Sequence, residues 1–141
     1  MFENEPVEPR IHQAIKIEIV GWPPSANARP GNRHERARIT AEWRGDMRTL
    51  AGQHRLAWRR RHGQTWEPLK VATMIVTFVL PTKGRHDWDN LVSTLKPLLD
   101  GIVDAGLIVD DSIYALPHVY TEFEHRPGVK AIRFEISEPI E

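Results

Sequence analysis

The chain of 141 residues contains no cysteine, and this absence excludes a disulfide framework, a thiolate zinc site and a cysteine nucleophile. Long apolar segments are also lacking, because the longest apolar-rich run covers only residues 71–80, whereas a membrane helix needs ~20. The first ten residues are acidic and contain no apolar stretch of the kind that a secretory signal requires. We therefore expect a cytoplasmic protein without a membrane partner.

The motifs of several enzyme classes are missing as well. The sequence has no G-x-x-x-x-G-K-[ST] phosphate loop, no G-x-S-x-G nucleophile turn and no H-E-x-x-H zinc helix, so we expect no nucleotide cofactor. With 40% hydrophobic and 27% charged residues, the composition is that of an ordinary globular protein of one domain. We place this domain at residues 14–141, after a flexible tail of residues 1–13.

An overall excess of charge is absent, since 19 Lys and Arg balance 19 Asp and Glu. On its own this balance argues against a nucleic-acid partner. The charges are nevertheless segregated, because residues 29–62 hold ten arginines against three acids, whereas residues 63–141 hold seven cations against twelve acids. The guanidinium group matches phosphate well, so the middle segment is a candidate phosphate-binding surface. The alternative is a solvated helix face.

The periodicity of the first half predicts a strand, a loop and a helix. Residues 14–20 alternate apolar and polar side chains, as a half-buried strand does. The next segment contains two consecutive prolines and is expected to be a loop through Arg38. Thr40 then caps a helix that runs to about His62, with Gly63 as its end.

The second half predicts three strands and one more helix. Residues 71–80 are typical of a strand buried on both faces, and residues 91–106 have apolar side chains at helical spacing. Pro97 kinks this helix or marks its first turn. Two further strands are expected near residues 116–124 and 129–136. The order β-α-β-α-β-β predicts an α+β domain, a mixed sheet with two main helices packed on it.

The densest chemical signal is an acidic pair on either side of Trp88, in the order Arg-His-Asp-Trp-Asp-Asn. In an extended segment Asp87 and Asp89 project to one face, while Trp88 points the other way, into the core. Two such carboxylates can bracket a Mg²⁺ ion, and the pair Asp110-Asp111 can supply a third. The alternative is structural, with Asp89 or Asn90 as the cap of the second helix and Asp110-Asp111 as a polar turn.

Three stretches, in this order, resemble the RusA family of Holliday junction resolvases. They are Trp-Pro-Pro-Ser-x-Asn at residues 22–27, Asp-Trp-Asp-Asn-Leu at residues 87–91, and the segment from Lys96 through Asp100 to Asp110-Asp111. The resemblance implies a homodimeric endodeoxyribonuclease, typical of prophages and bacteria, that uses Mg²⁺ and accepts Mn²⁺. Such an enzyme resolves four-way DNA junctions by paired symmetric nicks in recombination and repair.

The same resemblance assigns the residues of the site. Asp87, Asp89 and Asp111 match the family's catalytic, metal-binding carboxylates, with Asp110 in support, and Lys96 matches its catalytic lysine. The lysine departs from the family pattern, because it comes seven residues after Asp89 where the family usually has four. Its alternative interpretation is a solvated helix lysine.

A DNA substrate gives the arginines a role in phosphate binding. We predict such contacts from four arginines on the loop, four on one stripe of the first helix and one beside the acids: Arg29, Arg33, Arg36 and Arg38; Arg44, Arg48, Arg55 and Arg59; and Arg85. Next to it, His86 is expected to touch DNA or to support the acids. We expect Trp22 to pack the loop onto the core rather than to stack on a base, and His54 to be a packed histidine rather than a ligand.

Two other functions stay open at this point. A nuclease of the same type would cut flaps, single strands or RNA without junction selectivity. A non-catalytic DNA-binding or phage-accessory protein would use the same acids only as caps and turns. A third possibility, an enzyme of small-molecule chemistry, has no cofactor motif to support it.

Overall fold

The computed structural model describes residues 11–25 and 31–139, so the predictions for residues 1–10, Asn27 and Arg29 lie outside the described residues. The structure also shows a contact between the domain and a residue that precedes the predicted boundary at residue 14. Gln13 is buried, and its amide donates a hydrogen bond to the carbonyl of Glu67 at 2.8 Å. Gln13 therefore packs against the domain from a position before the predicted boundary.

Seven elements follow one another along the chain. They are strand β1 (Ala14–Val20), helix α1 (Arg33–His62), strand β2 (Thr73–Leu80), helix α2 (Trp88–Ser93), helix α3 (Leu95–Asp104), strand β3 (His118–His125) and strand β4 (Ala131–Ser137). The predicted α+β class and element order are confirmed, with the second helix divided into α2 and α3. The division falls at the buried Thr94, whose hydroxyl donates to the carbonyl of Leu91 at 2.6 Å. Pro97 consequently lies in the first turn of α3, where its missing N–H costs nothing.

The strands form one mixed sheet in the order β1-β4-β2-β3. β4 pairs antiparallel with both β1 and β2, and β3 pairs parallel with β2. Apolar side chains of the sheet such as Ile17 and Phe134 form one core with Met47 of α1 and Ile102 of α3. The helices therefore cover one face. The opposite face carries charged side chains, including Arg126, which pairs with carboxylates of β1 and β3.

The first helix begins earlier than predicted, at Arg33. Asn32 is the N-cap, and its side-chain oxygen accepts a hydrogen bond from the backbone N–H of Glu35 at 2.9 Å. The loop predicted through Arg38 and the cap predicted at Thr40 are therefore wrong. The missed signal is an asparagine followed three residues later by glutamate, which is a form of the capping box.

Several predicted boundaries are confirmed. β1 covers residues 14–20, and α1 ends at Gly63, whose φ of 70° is the left-handed conformation of a helix end. The turn between β3 and β4 contains Gly128 with a φ of 72°. This turn crosses the end of β2, because Arg126 N–H donates to the carbonyl of Leu80. None of the helices among residues 11–25 and 31–139 is long and apolar enough to cross a membrane.

Candidate functional site

The segment that carries Asp87 and Asp89 is not a continuous extended strand. Asp87 is the N-cap of α2 and has extended backbone angles, whereas Trp88 is already the first helical residue. Successive helical residues are rotated by ~100°, so the predicted common face of Asp87 and Asp89 is lost. Trp88 is 55% exposed and contacts Phe123 edge-on. The prediction that its side chain enters the core is wrong.

The two acids at the start of α2 are both accessible. Asp87 accepts a hydrogen bond from Nε of Arg85 at 3.0 Å, and the guanidinium of this arginine is almost fully exposed. Such an exposed pair contributes ~0–1 kcal/mol to stability, so it forms and breaks at little cost. Asp89 lies exposed in the first turn of α2.

A lysine and two carboxylates form the tightest polar cluster of the predicted site. Nζ of Lys96 lies 2.8 Å from Oδ2 of Asp111 and 2.9 Å from Oδ1 of Asp100. Hydrogen bonds to both carboxylates raise the pKa of Lys96, and the hydrogen bond from Lys96 lowers the pKa of Asp111. The ammonium is therefore protonated at neutral pH. It is also 66% exposed, so a ligand in solvent can reach it.

Asp110 serves the turn beside this cluster. Its Oδ1 accepts a hydrogen bond from the backbone N–H of Asp111 at 2.8 Å. This contact is typical of an aspartate that shapes a turn, which is the structural alternative considered for the acidic pair. It also orients the backbone that carries the Asp111 carboxylate.

Asp100 connects the cluster to the arginine-rich helix. Nε and Nη2 of Arg44 on α1 donate to the two oxygens of Asp104 at 2.6 and 2.9 Å. Nη1 of the same arginine lies 3.9 Å from Oδ2 of Asp100. Hydrogen bonding to Asp104 raises the pKa of Arg44 and lowers that of Asp104. Cations and carboxylates thus alternate from α1 across α3 to Lys96.

The arginines predicted to bind phosphate fall into two groups. The first group already has partners within the protein. Arg44 donates to Asp104. Arg55 donates through Nε and Nη2 to the carbonyl of Trp66 and through Nη1 to the carbonyl of Ala105. Arg38 pairs with Glu42 one turn away. The second group is exposed and makes no direct ion pair with a carboxylate of the described residues, although the charge of Arg48 helps to lower the pKa of Asp104; the group consists of Arg33, Arg36, Arg48 and Arg59. The second group is the better candidate for phosphate contacts.

The predicted metal ligands do not converge in this structure. Among residues 11–25 and 31–139, no three Asp, Glu or His side chains are arranged to hold one ion. Asp87 and Asp111 instead each face a cation of the protein, Arg85 and Lys96. The donors are carboxylates, which suit Mg²⁺ in kind, but their arrangement does not form a three-carboxylate site.

A cleft of about 380 Å³ opens beside Asp87, between the loop after β1 and the start of α2. Its wall includes Trp22, whose indole N–H donates to the carbonyl of Ala131 at 2.9 Å, and Lys130 lies over the indole ring at 5.2 Å. Trp22 thus packs the loop onto the core, as predicted. His86 lies edge-on to the same indole, and its Nε2 is 3.3 Å from the carbonyl of Thr82.

One further prediction concerns His54 of α1. His54 is half-buried on α1, and burial lowers its pKa, as expected for a packed neutral histidine. The ion pairs of Asp100 and Asp104 were not predicted from the sequence. Their signal was available, because Lys96, Asp100 and Asp104 are spaced by four residues and so share one helix face.

Comparisons with protein-family models and with curated proteins found no match for this chain. The resemblance to the RusA family therefore depends on the three sequence motifs alone.

Proposed function

We propose that this chain is a divalent-cation-dependent endodeoxyribonuclease that resolves four-way DNA junctions by paired phosphodiester hydrolysis, as RusA-type resolvases do. The observation that carries the proposal is the contact between Lys96 and Asp111, two residues that the resemblance assigns to a nuclease site, beside an arginine-bearing helix. A cytoplasmic location and a role in recombination and repair belong to the same proposal.

Lys96 is the proposed stabiliser of the charge that develops during hydrolysis. Negative charge grows on the phosphate oxygens and on the leaving oxygen as the P–O bond breaks, and a positioned cation lowers the energy of that state. The raised pKa of Lys96 keeps its ammonium charged. A lysine in this state acts as a cation or proton donor and not as a general base.

The exposed arginines of α1 form the proposed phosphate-binding surface. Arg33 and Arg59 lie 26 residues apart on one helix, which corresponds to about 39 Å along its axis. One turn of duplex DNA is about 34–36 Å long along its axis, so the helix is long enough to span one turn of a duplex lengthwise. The Arg44 contacts to α3 hold this helix against the acidic cluster.

The proposed cofactor is Mg²⁺, for which Mn²⁺ can substitute, held by Asp87, Asp89 and Asp111. When bound, such an ion neutralises charge on the phosphate and lowers the pKa of water. Because these carboxylates do not converge here, metal binding requires them to approach one another. At Asp111, a bound metal ion would compete with the Lys96 ammonium for the same carboxylate oxygen, Oδ2.

Cleavage of a synthetic four-way junction in Mg²⁺ tests the proposal. We expect Asp89→Asn to abolish nicking while junction binding in Ca²⁺ persists. Asp46→Asn, which removes an exposed acid of α1, is the matched control and should nick normally. An Asp89→Asn enzyme as active as the wild type would refute the assignment.

The choice of substrate separates the alternatives. Cleavage of flaps, single strands or RNA at rates equal to the junction would indicate a nuclease without junction selectivity. Junction binding with no nicking and no divalent-ion binding by calorimetry would indicate the non-catalytic DNA-binding protein.

A further inference from the structure

The turn that follows Asp111 holds two apolar side chains in solvent. Ile113 is 74% exposed, and Tyr114 is 82% exposed, which is the highest value for a large hydrophobic side chain among the described residues. Hydrophobic stabilisation scales with the apolar area that is removed from water. The fold therefore gains almost nothing from either side chain, and their role lies in contact with something outside the chain.

This turn is anchored to the domain on both sides. Before it, the backbone N–H of Val109 donates to the carbonyl of Leu69 at 3.0 Å. After it, the backbone N–H of Ala72 donates at 2.8 Å to the carbonyl of Ala115, which is buried. A backbone that is already ordered loses less conformational entropy when its side chains bind a ligand. The turn is therefore suited to present its exposed side chains to a partner.

Tyr114 differs from the other exposed aromatic side chains because its ring has no partner. Phe123 contacts Trp88 edge-on, and Tyr120 stacks on His118. Tyr114 makes no ring contact, hydrogen bond or ion pair with the part of the chain that the structure describes. Its ring is therefore available to stack on a flat partner.

The position of this ring relates it to the proposed nuclease site. Tyr114 follows Asp111 by three residues, so their Cα atoms are at most ~10–11 Å apart. Successive nucleotides of a stacked strand are separated by about 3.4 Å along the axis. Tyr114 thus lies within reach of a base about three nucleotides or fewer from a phosphate that is bound at Asp111 and at the exposed ammonium of Lys96.

We propose that Tyr114 stacks on a nucleobase that is unstacked at the branch point of the DNA, with Ile113 against the adjacent base step, and that this contact produces a preference for branched over continuous DNA. Aromatic side chains stack on single-stranded bases, and apolar side chains such as isoleucine insert between base steps. The inference rests on the DNA-binding part of the proposed function, because it needs a DNA strand beside Asp111.

The other proposed DNA contacts do not distinguish a branch from a duplex. The exposed arginines of α1 would meet phosphates, which every DNA backbone carries. In a continuous duplex each base is already stacked on its neighbours, so stacking on Tyr114 would first cost the free energy of unstacking. At a branch point part of that stacking is already lost. Tyr114 therefore stabilises the complex with branched DNA more than the complex with a duplex.

A protein partner fits this turn less well than a base does. A stable protein interface buries ~800 Å² on each side, whereas the turn offers two apolar side chains directly after the acids Asp110 and Asp111. A nucleobase is a single flat ring system, and one tyrosine ring covers much of it. The size of the exposed pair therefore favours a base.

Binding to a synthetic four-way junction and to a linear duplex of equal length, both in Ca²⁺, measures the preference without nicking. We expect Tyr114→Ala to weaken junction binding by about 5–150-fold, which corresponds to the ~1–3 kcal/mol of one base on an aromatic ring. Duplex binding should be unchanged. Tyr114→Phe keeps the ring and should bind both DNAs as the wild type does. Tyr120→Ala removes an exposed tyrosine that is already stacked on His118, and it is the matched control that should keep the wild-type preference.

Photo-cross-linking of the wild-type protein supplies a second measurement that needs no variant. On irradiation, 5-iodouracil at the branch point should form a cross-link to Tyr114, which mass spectrometry of the digested complex locates. The same base placed about one helical turn along an arm should not. A cross-link from the branch point to a different residue would overturn the proposal.

The outcomes separate this inference from the proposed nuclease activity. If the wild type nicks junctions and Tyr114→Ala keeps the full preference for them, the stacking role is refuted and the nuclease is not. If the wild type does not nick but its junction preference depends on the Tyr114 ring, the stacking role is supported and the nuclease is refuted. Unchanged DNA binding by Tyr114→Ala, together with altered sedimentation of the protein, would assign the turn to a protein contact and overturn the inference.

Discussion

Nζ of Lys96 lies 2.8 Å from Oδ2 of Asp111, so an ion pair joins α3 to the Asp110-Asp111 turn. The ammonium is shared with Asp100, and Asp100 in turn lies near Arg44 of α1. The predicted catalytic lysine is therefore held by carboxylates on two sides. Its position depends on the packing of α1 against α3 as well as on its own helix.

Removal of the lysine should change the titration of its partner. The hydrogen bond from Lys96 lowers the pKa of Asp111, so the pair stabilises the folded state above the ordinary range of aspartate. This stabilisation is lost as the pH falls below about 4. In Lys96→Met we expect the Asp111 pKa to rise to its ordinary value or above it. Carbon-13 NMR of the Asp111 carboxyl measures this change.

The accompanying loss of stability should be small. Lys96 is largely exposed, and exposed ion pairs contribute less than about 1 kcal/mol. Lys83→Met removes an exposed lysine of the turn after β2 and should leave the Asp111 titration unchanged. An unshifted Asp111 in Lys96→Met would contradict the observed ion pair.

The same lysine should affect catalysis more than stability. If the proposed nuclease activity is present, Lys96→Ala should reduce the rate of junction nicking by ~10²–10³, the usual cost of a lost transition-state partner. Junction binding should change little, because one phosphate contact of several is removed. Single-turnover nicking and gel-shift binding separate the two effects. If Lys96→Ala nicks at the wild-type rate, Lys96 is a solvated helix lysine and not a catalytic residue. Lys83→Ala serves as the control.

Three arginines of the predicted stripe should separate into two classes. Arg48→Ala and Arg59→Ala should each reduce the slope of log K against log salt by ~0.9, since each exposed guanidinium is proposed to meet a phosphate. Arg55→Ala should leave this slope unchanged but cost ~1–3 kcal/mol of unfolding free energy, because two backbone carbonyls lose their donors. Salt titrations of DNA binding and urea unfolding measure the two quantities. Equal slopes in all three variants would contradict this division.

Local patterns predicted the elements well where one period dominated. The alternation of Ile15, Ile17 and Ile19 identified β1 to the residue. The prediction for the segment at Trp88 was wrong because the periodicities of a strand and of a helix cannot be told apart over so few residues. An alternating acid-aromatic-acid sequence suggests a strand, whereas the backbone turns helical directly after Asp87. The packing of α2 decides between strand and helix here, and the local sequence of its six residues does not.

Long-range contacts of the site could be predicted only in part. The spacing of Lys96, Asp100 and Asp104 places them on one helix face, so their common stripe follows from the sequence. Which cation meets which acid does not, because Arg44 reaches Asp104 from 60 positions away. That contact exists only once α1 and α3 have packed together.

The packing of α1 against α3 depends on one glycine of α3. A Cβ built on Gly101 would lie 2.6 Å from the carbonyl oxygen of Arg44 and 2.8 Å from Cβ of Met47. Alanine favours a helix by up to ~1 kcal/mol over glycine, but overpacking against backbone costs ~1–3 kcal/mol. We expect Gly101→Ala to be destabilising overall, with a lower melting temperature in calorimetry.

Glycines of α1 provide the matched control, because the sign of the effect should reverse there. A Cβ on Gly45 or Gly52 meets no atom within 4 Å, so alanine gains helix propensity without a clash and should stabilise by ~0.5–1 kcal/mol. If Gly101→Ala also separates the helices, the Arg44 to Asp104 contact should weaken, and a double-mutant cycle on that pair should lose its coupling energy. The prediction is wrong if Gly101→Ala is as stable as Gly45→Ala and the coupling between Arg44 and Asp104 is intact. That result would show that the contact between α1 and α3 has room for a methyl group.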